Sequence, residues 1–72
     1  MTQAEAKARA LIAKRTTSAL VADFEITNRM PISLELTMSR GWIMDELEKR
    51  SSAAFEAWID SDEESPRKFY LQ

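Results

Sequence analysis

The side chains of this chain best suited to chemistry are its carboxylates, because it carries 12 Asp and Glu but no cysteine and no histidine. Asp60, Asp62 and Glu64 alternate as the first ligands of a calcium loop do. Such a loop also needs a glycine at mid-loop and a bidentate glutamate at its twelfth position. The glycine is missing, and Leu71 and Gln72 stand where the glutamate belongs. The run therefore reads as a solvated acidic segment. Catalytic carboxylate pairs need a cleft that shifts their pKa values, and the thin core of a chain of 72 residues has little volume for one.

Other chemistries fall away on residue type. Without cysteine there is no disulfide, no thiolate metal site and no thiol nucleophile, and without histidine the commonest metal ligand and general base is absent. Gly41 is the single glycine, which excludes the P-loop and the dinucleotide-binding turn, both built on several. A small acidic helical body invites comparison with carrier proteins, whose modified serine follows an Asp-Ser-Leu signature. Here Asp60-Ser61 is followed by Asp62, and the comparison fails. No catalytic residue, metal or cofactor is expected, and the chain reads as a binding protein, not an enzyme.

Two sets of residues are candidates for binding. Lys7, Lys14 and Arg15 fall near one side of a helical wheel in a head that carries about +3, against about −5 for residues 20–72. A basic face of this kind neutralises phosphates and releases counterions, so it is the candidate for nucleic-acid contact. Three charges are few, and the firmest helix bears Asp45, Glu46 and Glu48, which DNA would repel. The second set is the tail: Arg67 and Lys68 followed by Phe69, Tyr70 and Leu71. It can dock in a partner's groove, or fold back over the protein's own apolar face or that of a second subunit. Folding back is favoured, because an exposed Phe-Tyr-Leu run invites aggregation.

The elements that must hold these residues are mostly helical. The stretch from residue 2 to 15 is rich in the strongest helix formers, with Thr2 as an N-cap, and Thr16, Thr17 and Ser18 interrupt it. Residues 19–39 admit two readings. From Ile32 to Ser39 apolar and polar residues alternate strictly, which suggests a hairpin turning at residues 28–31. The composition, mainly Ala, Leu, Glu and Met, favours helix, and Leu20, Val21 and Phe24 would then share one face and enter a core. The preferred reading is a helix over 17–29, a loop around Pro31 and a helix beginning between Ser33 and Ser39. In GWIMDELEKR, Ile43 and Leu47 stand four apart, as do Met38 and Trp42, and Lys49 and Arg50 suit a helix C-terminus. Ser51 or Ser52 caps a further helix presenting Phe55, Trp58 and Ile59. Residues 61–66 are an acidic linker, and 67–72 are the basic-aromatic tail.

RGWIMDELEKR (Arg40 to Arg50) followed by AFEAWIDSDEESPRKFY (Ala54 to Tyr70) resembles short uncharacterised proteins carried by actinobacterial phages and plasmids. The likeness covers about the C-terminal half and holds no catalytic motif. It implies an accessory or host-interaction role and no functional residue.

The sequence thus predicts one all-α domain, a small bundle of three or four short helices, with Trp42, Phe55 and Trp58 turned inward together. No segment reaches the roughly 20 apolar residues that cross a bilayer, and MTQAEAKARALIAKR lacks the apolar core of a signal peptide. The expectation is a cytoplasmic protein acting through protein–protein interaction or regulation, most simply as a homodimer, since a core this small gains from a second subunit. The alternative is a small nucleic-acid-binding regulator using the N-terminal basic helix.

Overall fold

Hydroxyl side chains start four of the helices, each accepting a hydrogen bond from the backbone N–H three residues on. Thr2 receives Glu5 N, Thr16 receives Ala19 N, Ser33 receives Leu36 N and Ser51 receives Ala54 N, all at 3.1 Å. In the computed structural model, which describes residues 2–71, these caps open α1 (Gln3–Lys14), α2 (Thr17–Thr27), α3 (Leu34–Arg50) and α4 (Ser52–Ser61). A single turn, α5 (Arg67–Tyr70), closes the described chain. No strand occurs among the described residues, so the hairpin reading of 19–39 is not realised. The fold is a small all-α bundle. α3 runs through Gly41 without a break and is the longest helix, with α1, α2 and α4 packed around it.

Why helix prevails at Ile32 to Ser39 is visible in the burial. In a strand, Leu34, Leu36 and Met38 would share a face; on a helix, residues two apart point away from each other. Only Leu36 is buried, while Leu34 and Met38 face out. Ser33 fixes the outcome locally by capping Leu36 N, and Thr37 Oγ1 adds a bond to Ser33 O at 3.0 Å.

The core is built by Leu20 and Phe24 of α2, Ile43 and Leu47 of α3, and Trp58 of α4. Phe24 meets Trp58 edge to face with ring centroids 5.1 Å apart, and Phe55 meets Trp58 at 5.8 Å. The Trp58 indole N–H donates to Glu63 O at 2.8 Å, so its polar edge is satisfied within the fold. Trp42 departs from expectation. It is half-buried outside this core and faces α1 across a groove of about 370 Å³ with Ala6, Ala10 and Ala13. The helical period explains the difference: Ile43 and Leu47 point at α2 and α4, and Trp42, one residue back, turns about 100° from Ile43.

Arg50 ties the helices together at one end. Its guanidinium donates to Glu46 at 2.9 Å, to Thr17 Oγ1 at 3.1 Å and to Arg15 O at 2.7 Å, with longer bonds to the α1 carbonyls of Ile12 and Ala13. A cation thereby sits on the carbonyl end of α1, where unpaired C=O groups and the helix dipole favour positive charge. α1 itself buries no residue fully, and Ile12 is its contact with the core.

Candidate protein interface

The tail that sequence reasoning singled out is folded inward. Phe69 and Tyr70 are half-buried against the core cluster. The Tyr70 hydroxyl donates to Leu47 O at 2.6 Å, meeting a carbonyl in the last turn of α3, and lies 3.2 Å from Ser51 O. Burial, with the negative charge of Glu48 nearby, raises the phenol above its ordinary pKa of 10.0. The cations are engaged as well. Arg67 grips both oxygens of Glu25 at 2.8 and 2.6 Å, Ser65 adds a 2.7 Å bond to the same carboxylate, and Lys68 pairs with Glu63 at 2.7 Å. Glu25 is pulled down to about 2, first by the Arg67 hydrogen bonds and then by Ser65. Leu71 is half-buried. The rings of this segment are thus packed and its cations paired, with Arg67 and Lys68 still exposed, and the acidic run before it is anchored through buried Pro66.

The basic N-terminal face is similarly reduced. Arg15 makes a bidentate pair with Asp23 at 3.0 and 2.9 Å, and Arg9 bridges Glu5 at 2.8 Å and Asp45 at 3.0 Å. Of the three candidate phosphate contacts, Lys7 and Lys14 remain exposed without an ion pair among the described residues. Seven residues apart, they stand about 10 Å from each other along α1.

What the structure brings to the surface instead is apolar. Among the described residues, five of the seven large exposed apolar side chains belong to one stretch of chain: Ile26, Met30, Ile32, Leu34 and Met38. Ile32 is 93% exposed and Leu34 73%. They surround the corner where α2 passes into α3, and Met30 and Ile32 line a shallow groove of about 350 Å³ with Leu36, Thr37 and Arg40. Beneath the groove the corner is stiff. Arg40 lies over the Phe24 ring at 4.3 Å and donates to Thr27 Oγ1 at 2.7 Å and Asn28 Oδ1 at 2.6 Å, while Thr27 Oγ1 donates to Phe24 O. Such a site excludes water from an apolar partner surface at little ordering cost, because its framework is already held.

These residues were not singled out from sequence, although a signal was present. The strict alternation from Ile32 to Met38 supplies more apolar residues than one helical face can bury, so a helix there must expose some of them. No group of three or more Asp or Glu among the described residues is arranged to hold a metal ion, and no described helix is long and apolar enough to cross a membrane. No protein-family model, curated protein or solved structure matches this chain.

Proposed function

We propose that this chain is a non-enzymatic, cytoplasmic protein-binding module of accessory or regulatory type, which docks a protein partner on the apolar corner between α2 and α3. The observation carrying the reading is the exposure of Met30, Ile32, Leu34 and Met38 around a rigid Arg40–Phe24–Thr27 framework. Scattered exposed apolar residues are normal on a monomer, but a concentrated group marks an interface. The resemblance of residues 40–70 to short phage and plasmid proteins fits an accessory role. Nucleic-acid binding by the N-terminal helix is the weaker reading, because Arg15 is engaged by Asp23 and two lysines neutralise few phosphates. The test is a photo-crosslinking phenylalanine analogue placed at Ile32 in the source cell, with the same analogue at exposed Ala53 as control. Protein adducts at position 32 and none at 53 are expected. Absence of any protein adduct at position 32 refutes the reading.

A further inference from the structure

We infer that the occupant of this corner is a second copy of the chain, seated by an antiparallel α3–α3 contact in which Leu34 of each copy lies over Gly41 of the other. The inference rests on the reading of the corner as a protein interface and names its partner.

Gly41 has no reason for being glycine within one copy. It lies in the middle of α3, its φ is not positive, and a Cβ built there meets nothing within 4 Å. Glycine in a helix interior costs about 1 kcal/mol relative to alanine. A residue that costs stability and fits no neighbour in its own chain is accounted for by close approach of another backbone or side chain. The same helix face carries Leu34 and Met38, seven and three residues before Gly41, both exposed and both apolar.

The spacing is self-complementary. A helical side chain covers the surface about one position N-terminal to its own Cα. Met38 thus covers the level of residue 37 and Leu34 that of residue 33. A two-fold axis through the Met38 tips maps the level of residue 33 onto residue 41, so each Leu34 falls on the other copy's Gly41 while the two Met38 side chains meet at the axis. A large side chain opposite a missing one, twice over, is what an isologous contact requires. Charge agrees with this direction. Antiparallel packing carries Glu48, which has no ion pair among the described residues, past the other copy's 28–33 corner, where Arg29 has none either. The same passage covers Ile32.

Sedimentation equilibrium on the full chain, with Gly41→Ala and Met38→Asp beside wild type, tests the inference. Wild type is expected at twice the 8.3 kDa chain mass. Met38→Asp is expected as a monomer, and Gly41→Ala should weaken dimerisation about tenfold, the effect of one methyl group forced into a packed contact. Met38 is exposed and a Cβ at half-buried Gly41 meets nothing within 4 Å, so both variants fold. When each is diluted to monomer, Gly41→Ala should melt about 4–8 °C above wild type, because the helix gains alanine's propensity. A wild-type mass that stays at 8.3 kDa in concentrated solution overturns the second copy, and crosslinks from position 32 to a different protein would leave the corner itself standing. A dimer that Gly41→Ala and Met38→Asp leave equally tight overturns the α3–α3 geometry.

Discussion

Arg50 shows how much one side chain carries in a domain of this size. Its guanidinium satisfies carbonyls at the end of α1 and reaches Thr17 at the start of α2, while Glu46 holds it in place from one turn back. Charge-assisted bonds of this kind are worth more than neutral ones, and removing the donor breaks several of them at once, some part-buried and some exposed. Arg50→Ala should therefore cost about 2–3 kcal/mol in urea unfolding. Arg50→Lys should recover less than half of the loss, because an ammonium cannot present a planar fork to several acceptors at once. A lysine variant as stable as wild type would show that charge alone matters. Tyr70 is a smaller case of the same logic. Its hydroxyl meets Leu47 O, a carbonyl that also accepts from Ser51 N, so Tyr70→Phe should cost only about 1 kcal/mol. The raised phenol pKa adds a pH signature. Its contribution is complete below the ordinary value of 10.0 and is lost as pH rises through the folded value, and Tyr70→Phe should flatten that alkaline limb of the melting curve.

At the scale of elements, the helices are held unequally. α2, α3 and α4 share the aromatic core, whereas α1 contributes only Ile12 to it and relies on Arg50 and on the Arg9–Asp45 bridge. Surface ion pairs of the latter kind add little. Hydrogen exchange should accordingly find α1 amides the least protected of the four longer helices, and protection in α1 equal to that in α3 would contradict this account. α5 is pinned by Glu25, whose carboxyl is lowered from 4.5 to about 2 by Arg67 and Ser65. A depressed carboxyl stabilises fully above its ordinary value and loses that contribution as pH falls toward its folded value. Melting temperature should thus drop between pH 4.5 and pH 2 in wild type, and Glu25→Gln should remove that segment of the profile. An unchanged acid limb in the variant would place the titration elsewhere.

For the whole molecule, charge and apolar surface point in different directions. Residues 20–72 carry the negative excess, and pairing of Arg9 and Arg15 to Glu5, Asp45 and Asp23 leaves a sparse positive face on α1. Lys7→Glu combined with Lys14→Glu should lower the melting temperature by no more than about 4–8 °C, since each exposed charge changes stability by about 0.5 kcal/mol and Lys14 stands in the last turn of α1, where a cation suits the helix dipole. A salt-dependent gel shift with duplex DNA that this double variant abolishes would instead restore the nucleic-acid reading.

The helices and their starts were legible in the chain itself. Thr2, Thr16, Ser33 and Ser51 are hydroxyls standing before helix-forming runs, and capping is a local interaction between residues three apart, so sequence alone determines it. The apolar face of Leu20, Val21 and Phe24 was legible for the same reason, through helical period. Tertiary structure decided the rest. Trp42 and Trp58 are equally apolar in composition, yet one faces the α1 groove and the other completes the core, because which side of α3 meets α4 depends on contacts far apart in sequence. The tail's fold-back onto Leu47 and Glu25, and the apolar corner left uncovered at Ile32 and Leu34, likewise follow from where the helices pack. The apolar run of the tail favoured folding back and the alternation from Ile32 to Met38 held more apolar residues than one helical face can bury, but which groups the tail meets and which residues stay uncovered depend on contacts far apart in sequence.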